Sequence, residues 1–262
     1  MWRCVIKEDV KCFEDDTLAQ CLQKATLFSI AEIPVVTSNN ILKGIIELSS
    51  IAKSIGNILG KFDKIKCSEI CTTPRLVITI DEDPPLNSII QNMINNNVIV
   101  APVIGPKNLF RGVIILRELL KSLVNKKLYS QKITDDIISK RAALLGDDEN
   151  LIQAIEILTH RGELCGIVYN GYEVSSMMCL TEALSVSTSM SIDNIENYLV
   201  EHASRKPVFI HINDSIGAAI DALNEHQVDM LIVKDNYDNV IGVIPIIKIA
   251  LKLLKLLKGE YK

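Results

Sequence analysis

The chain has 262 residues, of which 48% are hydrophobic and 5% aromatic, and its 28 basic and 32 acidic residues leave a net charge of −4. This balance argues against nucleic-acid binding, which needs a basic face, and the apolar content argues against disorder. No uncharged apolar run approaches the roughly 18 residues of a membrane-spanning helix, and the longest candidate, residues 240–257, contains three lysines. We therefore predict a protein without membrane association, built as one large domain or two ordinary ones.

The seven cysteines are odd in number and irregularly spaced, and the first residues show no secretory signal. These features predict a cytoplasmic protein whose thiols are mostly buried as small apolar groups. Cys67 and Cys71 are four residues apart and could share a helix face at a metal site. No matching histidine or cysteine pair follows at a zinc-ligand spacing, so we predict no metal.

The strongest pattern is an amphipathic helix that occurs four times. In each copy apolar residues recur at positions i, i+3, i+4 and i+7, which places them on one helix face. The first residues of the four copies are 65 to 68 positions apart. The apolar positions are Leu18, Cys21, Leu22 and Ala25; Leu86, Ile89, Ile90 and Met93; Leu151, Ala154, Ile155 and Leu158; and Ile216, Ala219, Ile220 and Leu223.

The elements around each helix repeat as well. A short apolar stretch precedes the helix, and a buried strand, a tight turn, a second strand and a second helix follow it. Asparagine, aspartate and glycine suit these turns because they tolerate positive φ. The preceding stretches are residues 10–13, 76–80, 142–145 and 208–212; the strands are 33–36, 98–104, 165–168 and 230–233; the turns are 38–40, 106–108, 170–171 and 235–239; and the second helices include 51–59, 119–124 and 246–257. The pattern predicts four β-α-β-β-α units.

A unit of about 65 residues buries too little surface to be stable alone, so the units should pair. The polar stretch 125–131 marks the predicted boundary between two domains. The first domain spans residues 1–126, with repeats at about 1–61 and 62–126. The second spans residues 127–262, with repeats at about 127–192 and 193–262. The predicted fold class is α+β, with four β-α-β-β-α repeats packed as two pseudo-symmetric pairs.

These repeats resemble the CBS domain family, named for cystathionine β-synthase. The resemblance rests on residues 74–80 after Thr72-Thr73, on Ile33-Pro-Val-Val36, and on the glycine that opens each last strand in Gly44-Ile-Ile, Gly112-Val-Ile and Gly242-Val-Ile, with Ser176-Met-Met in the third copy. It covers nearly the whole chain and implies two tandem CBS pairs, or Bateman modules. In this family the clefts of a pair often bind adenine nucleotides or other adenosyl ligands.

The family pattern of the last strand is glycine, two apolar residues, serine or threonine, two residues of any type, and aspartate. A carboxylate there can accept both ribose hydroxyl hydrogens, and a hydroxyl beside a helix N-terminus can help to hold a phosphate. At the hydroxyl and aspartate positions, the four copies have, in chain order, Glu47 and Ser50; Ile115 and Glu118; Cys179 and Glu182; and Pro245 and Lys248. Only Glu118 and Glu182 keep a carboxylate, and no copy keeps the hydroxyl.

The resemblance implies two sets of ligand-binding residues. In the first, Glu118 would hold a ribose with Arg117 or Arg111 near a phosphate. The segment Thr73, Pro74, Arg75 and Leu76 would line the base pocket. The second set is Glu182, Arg205 and Lys206. Each set has an alternative without a ligand. Glu118 and Glu182 could be first-turn acids that the helix dipole stabilises. Residues 73–76 could be an ordinary strand entrance, and Arg205 and Lys206 a solvated basic pair.

The resulting hypothesis is a non-catalytic regulatory sensor of AMP, ADP, ATP or an S-adenosyl compound, which requires no cofactor. A separate regulated protein, or a homodimer of this chain, would read the ligand-dependent change. The alternative is a protein-interaction or dimerisation module whose nucleotide sites are degenerate. An enzyme is not predicted, because the sequence shows no catalytic motif.

Overall fold

The computed structural model describes residues 2–123, 126–190 and 197–257. Each repeat has the predicted order of strands and helices. Repeat 1 contains β1 (Cys12–Phe13), α1 (Leu18–Phe28), β2 (Glu32–Val36), β3 (Leu42–Glu47), α2 (Leu48–Lys53) and α3 (Ile55–Ile58), and α4 (Cys67–Ile70) follows it. Repeat 2 contains β4 (Ile78–Thr79), α5 (Leu86–Asn95), β5 (Val100–Ile104), β6 (Phe110–Ile115) and α6 (Leu116–Leu123), followed by α7 (Lys126–Tyr129).

The second half of the chain repeats this order. Repeat 3 contains β7 (Leu144–Gly146), α8 (Leu151–Arg161), β8 (Cys165–Tyr169), β9 (Val174–Cys179) and α9 (Leu180–Ser187), and β10 (Ser204–Arg205) follows it. Repeat 4 contains β11 (Phe209–His211), α10 (Ile216–Glu225), β12 (Met230–Lys234), β13 (Val240–Pro245) and α11 (Ile246–Leu257). Residue 124 of the predicted second helix and residue 125 of the predicted boundary lie outside the described residues.

Each repeat forms its own small sheet. The first strand pairs in parallel with the central strand, and the central strand pairs antiparallel with the last, in the orders β1-β2-β3, β4-β5-β6, β7-β8-β9 and β11-β12-β13. In repeat 3, β10 adds a fourth strand beside β9. The predicted α+β fold of four β-α-β-β-α repeats is therefore confirmed.

The first helix of each repeat forms where its pattern predicts. A Thr17 capping box with Gln20 begins α1, and the side chains of Asn150 and Ser215 cap α8 and α10. The apolar i, i+3, i+4, i+7 positions are all buried apart from Leu86, which is half-buried. Each of these helices thus buries one apolar face in the protein interior.

Several predicted boundaries differ from the observed ones by a few residues, and two elements also differ in form. The strand predicted at 76–80 is only β4, because a 3-10 turn over Ile80–Glu82 ends it. The helix predicted at 51–59 begins earlier and breaks at Ser54, which separates α2 from α3. Among the described residues, no helix combines the length and the apolar character needed to cross a bilayer.

The repeats group into two compact units that interleave along the chain. One unit comprises Met1–Asp9, Pro74–Arg141 and Val208–Lys262 and holds repeats 2 and 4, where α10 packs on α6 and α11 on α5. The other comprises Val10–Thr73 and Ala142–Pro207 and holds repeats 1 and 3, where α1 packs on α9 and α2 on α8 and α9. The division of the chain at residue 126 into consecutive pairs is a different grouping, and it stays a prediction.

The last strand of each repeat also pairs with a segment from outside that repeat. We call these four the crossing segments, because each precedes one repeat along the chain and completes the sheet of another. The pairs are Thr72 with Ile45, Lys7 with Val113, Arg205 with Met177, and Ser139 with Val243. In every repeat the paired residue directly follows the glycine position of the CBS-like motif.

Cys165 and Cys179, which are register partners in β8 and β9, form a disulfide. Cys12, Cys21, Cys67 and Cys71 are free thiols. Three of these four are buried, as the sequence predicts for small apolar side chains.

Candidate functional site

In repeat 2, Glu118 forms an ion pair with the crossing segment. Glu118 lies in the first turn of α6, and its Oε2 is 3.3 Å from Nζ of Lys7. The backbone of Lys7 is held by two hydrogen bonds to Val113, at 2.9 and 3.0 Å. The carboxylate is 19% exposed, whereas the lysine side chain is 49% exposed. Backbone pairing therefore positions a cation over the half-buried acid.

Repeat 3 carries the equivalent pair. Glu182 lies in the first turn of α9, and its Oε1 accepts a hydrogen bond at 3.0 Å from the guanidinium of Arg205. Arg205 is held in β10, opposite Met177. The hydroxyl of Thr181 donates to Oε2 of Glu182. Both members of this ion pair are half-buried.

The two pairs occupy the same position in their repeats. Each acid is six residues after its glycine position, Gly112 or Ser176, and each cation lies on the crossing segment beside the next strand residue. The helix dipole adds to the stabilisation of each carboxylate, since both acids lie in the first turn. A carboxylate can accept about four hydrogen bonds, so a cation on one oxygen leaves acceptor capacity for a ligand hydroxyl.

Repeats 1 and 4 lack this arrangement. The equivalent helix positions are Ser50 and Lys248, both exposed, and the crossing residues are Thr72 and Ser139. The predicted reversal of charge in repeat 4 therefore places an exposed lysine where repeats 2 and 3 have an acid.

The side chain of Arg117 points into the protein. It is only 1% exposed, and its guanidinium donates to Asp229 at 3.2 Å and to Gln227 at 3.0 Å. The backbone oxygen of Arg117 accepts a hydrogen bond from Asn224 of α10. These contacts join α6 to repeat 4, so the guanidinium predicted to lie near a phosphate already has a carboxylate partner.

The predicted base-pocket segment lies ahead of β4. Thr73 and Arg75 are exposed, and Pro74 and Leu76 are half-buried. The guanidinium of Arg75 donates to the backbone oxygens of residues 96 and 97, just after α5, at 3.2 and 3.0 Å. Lys206 of the second predicted set is exposed.

The cysteines group differently from the sequence hypothesis. Cys67 lies beside Cys12 and Cys21, and the possible ligand atoms of these three lie within 4.8 Å of one another, without Cys71. Hydrogen bonds from Cys12 and Cys21 lower the pKa of Cys67 to about 4. The hydrogen bond with Cys12, together with that of Cys67 and burial, raises the pKa of Cys21.

Lys7, Asp229 and the cluster of Cys12 and Cys21 with Cys67 were not predicted from the sequence. An alignment of the residues that precede each repeat could have found Lys7, because it occupies the place of Arg205. No such signal marks Asp229 or the three cysteines, since only the folded backbone brings them to their partners.

One of the four repeats matches a known protein family. The family model described as CBS domain matches residues 195–255, which contain all four described elements of the β-α-β-β core of repeat 4 and most of its second helix. The fourth repeat therefore matches the CBS domain family over nearly its whole length. The other three repeats share its strand and helix order, so the chain has the fold of two tandem CBS pairs.

Two solved structures share this fold over most of the chain. A Methanocaldococcus jannaschii protein proposed as an archaeal homologue of g-AMPK superposes with a TM-score of 0.79 at 17% identity, over 96% of this chain and 99% of that one. An uncharacterised conserved protein from Pyrococcus horikoshii has a TM-score of 0.58 at 14% identity, over 86% and 91%. No curated protein matches the sequence.

Proposed function

We propose that this CBS protein is a non-catalytic regulatory sensor that binds an adenosine-containing ligand beside Glu118 and Glu182. The ligand class comprises AMP, ADP, ATP and S-adenosyl compounds. The observation that carries the proposal is the recurrence of one carboxylate–cation pair at the same motif position of two repeats. Random surface acids would not share both a helix position and a partner from the crossing segment.

The chemistry of the pair suits a ribose. Both acids present carboxylate oxygens at the start of a second helix, where two adjacent hydroxyls can donate to one carboxylate. Lys7 and Arg205 add a positive charge beside the same position. An adenosine ligand with phosphate groups, or with the carboxylate of an S-adenosyl amino acid, would meet both an acceptor and a cation there.

The remaining predicted residues complete the two proposed sites. In the first, Thr73, Pro74, Arg75 and Leu76 would contact the base. Arg117 supports α6 from inside the protein through its buried contacts. In the second, Lys206 lies next to Arg205 on the crossing segment and is exposed toward solvent.

A sensor needs two states that differ in affinity for its ligand, because a ligand shifts an equilibrium only by that difference. The crossing segments provide a mechanical link, since each is tied both to a last strand and to the repeat that follows it. A change at Lys7 or Arg205 on ligand binding would therefore reach a second repeat. A regulated protein or a second copy of this chain would read that change.

The test is a thermal-shift and calorimetric titration with AMP, ADP, ATP, S-adenosylmethionine and GTP as a non-adenine control. A ligand at about 100 times its dissociation constant should stabilise the protein by roughly 2.7 kcal/mol. Glu118→Gln and Glu182→Gln should each weaken binding at their own site by about 10- to 150-fold, because a hydrogen bond to a charged group contributes roughly 1.5–3 kcal/mol.

Glu156→Gln is the matched control, since Glu156 is an exposed acid on the outer face of α8. It should leave every affinity unchanged. Saturable binding that survives both Glu118→Gln and Glu182→Gln would remove these residues from the site. Equal shifts with GTP would contradict adenine selectivity.

One observation favours the second candidate function, a ligand-free interaction or dimerisation module. Both carboxylates already have a cationic partner within the chain, so neither requires a ligand for charge compensation. For this alternative we expect no thermal shift with any nucleotide while the protein remains folded and self-associates or captures a defined partner.

A further inference from the structure

Three thiols meet inside repeat 1. Cys12 comes from β1, Cys21 from the first half of α1, and Cys67 from the start of α4. Each has 0% relative exposure, and their potential ligand atoms lie within 4.8 Å of one another. We call these residues the three-cysteine cluster.

The backbone around the cluster is firmly held. Residues 14–18 are joined to residues 65–68 by three backbone hydrogen bonds of 2.8 to 3.0 Å. Cys12 is paired in its sheet with Val35, and the amide of Cys21 donates to Thr17 at 3.0 Å inside the helix. The three side chains therefore come from elements whose relative positions are set by hydrogen bonds rather than by a loop.

The spacing of the sulfurs matches a thiolate metal site. A zinc–sulfur bond is about 2.3 Å long, so three thiolates in a plane around one ion would be about 4.0 Å apart. The observed limit of 4.8 Å requires side-chain movements of less than about 1 Å. Soft thiolate ligands select Cu⁺ and Zn²⁺ over hard cations such as Mg²⁺ and Ca²⁺.

The charged groups beside the cluster are Lys24 and Asp16. The half-buried ammonium of Lys24 interacts electrostatically with all three thiols. Asp16 opposes thiolate formation at Cys67, but Nζ of Lys24 forms an ion pair of 2.7 Å with it. Three thiolates with a divalent ion carry one net negative charge, and the neutral Lys24–Asp16 ion pair beside the cluster adds no further charge to it.

We propose that Cys12, Cys21 and Cys67 form a binding site for one soft d10 metal ion, Zn²⁺ or Cu⁺. The site is separate from the carboxylate pairs and does not depend on the proposed nucleotide function. On binding, the thiols that are protonated lose their protons to solvent and three metal–sulfur bonds form, with no change in oxidation state.

The test uses the full chain, stripped of metal with a chelator in the absence of oxygen under conditions that leave the Cys165–Cys179 disulfide intact. It is titrated with Zn²⁺ and separately with Cu⁺, each against a competing chromophoric chelator, and with Cd²⁺ to follow thiolate-to-metal absorption. We expect one ion per chain, and the ratio of the two affinities identifies the preferred ion. Cys12→Ser, Cys21→Ser and Cys67→Ser should each weaken binding by more than about 100-fold, the upper range for changes outside the ligand set.

Cys71→Ser is the matched control, because Cys71 is a free thiol near the cluster but outside it. It should bind the ion as the unaltered chain does. X-ray absorption of the unaltered, zinc-loaded protein needs no variant and should show three sulfur neighbours at about 2.3 Å. Loss of binding in Cys71→Ser, coordination by nitrogen or oxygen alone, absence of a bound ion at stoichiometric metal, or a disulfide within the cluster of the protein as isolated would each overturn the proposal.

Discussion

Arg117→Met is expected to lower the free energy of unfolding by about 3 kcal/mol, the lower end of the range for removing one partner of a buried ion pair. The substitution keeps most of the side-chain volume but leaves Asp229 without the guanidinium that lies 3.2 Å from it. Asp229 is 16% exposed, so water compensates only part of the lost interaction. Urea unfolding followed by circular dichroism at neutral pH measures the change.

The control for this experiment is Arg111→Met. Arg111 is exposed on β6, in the same repeat, and its replacement should change the stability by less than about 0.5 kcal/mol. Arg117→Met combined with Asp229→Asn should recover part of the loss, because the second change removes the uncompensated charge. A loss below about 1 kcal/mol for Arg117→Met alone would show that the ion pair contributes no more than a surface pair.

Gly112→Ala is the second large effect, with an expected loss of about 3 kcal/mol. Gly112 has φ +134°, and a Cβ there would lie 2.6 Å from the backbone oxygen of Lys7 and 2.5 Å from the side chain of Ile6. Backbone strain of this kind costs about 1–3 kcal/mol, and overpacking costs a further 1–3 kcal/mol. If the crossing segment that contains Lys7 detached, the clash would be relieved, but its two hydrogen bonds to Val113 would be lost.

Two measurements separate these consequences. Urea unfolding gives the loss of stability, and hydrogen exchange reports whether the amide of Lys7 loses its protection. Gly56→Ala is the control, because Gly56 is a helical residue whose added Cβ would have no atom within 4 Å. Alanine should be neutral or stabilising there by about 0.5–1 kcal/mol. Unchanged protection of Lys7 in Gly112→Ala would contradict the close approach of the crossing segment.

Gly242 provides an independent repetition of the same argument. Its φ is +154°, and an added Cβ would lie 2.5 Å from the backbone oxygen of Ser139. The motif glycines of repeats 2 and 4 are thus required because the backbone of a crossing segment lies too close to leave room for a Cβ atom. The sequence pattern identified these glycines, but the reason for them lies in segments more than 100 residues away along the chain.

In the candidate site, too, the sequence pattern identified some residues and only the structure identified their partners. Glu118 and Glu182 were found from the motif spacing, since the sixth residue after the glycine position of the motif lies in the first turn of a helix. Their partners Lys7 and Arg205 come from crossing segments, whose pairing depends on the path of the chain. Arg117 was assigned to a phosphate from its position beside Glu118, yet adjacent residues on a helix point in different directions, and its side chain is buried against Asp229.

The sequence by itself determined the repeat, the order of its elements and the apolar face of each first helix. These features depend on local periodicity and on capping residues, which act within a few positions of each other. Only the tertiary structure decided which repeats share a compact unit, which segment crosses to which sheet, and that Cys67 joins Cys12 and Cys21 rather than Cys71. These outcomes depend on contacts between residues far apart in the chain, because helix faces and sheet edges of similar character recur in every repeat and local patterns do not distinguish among them.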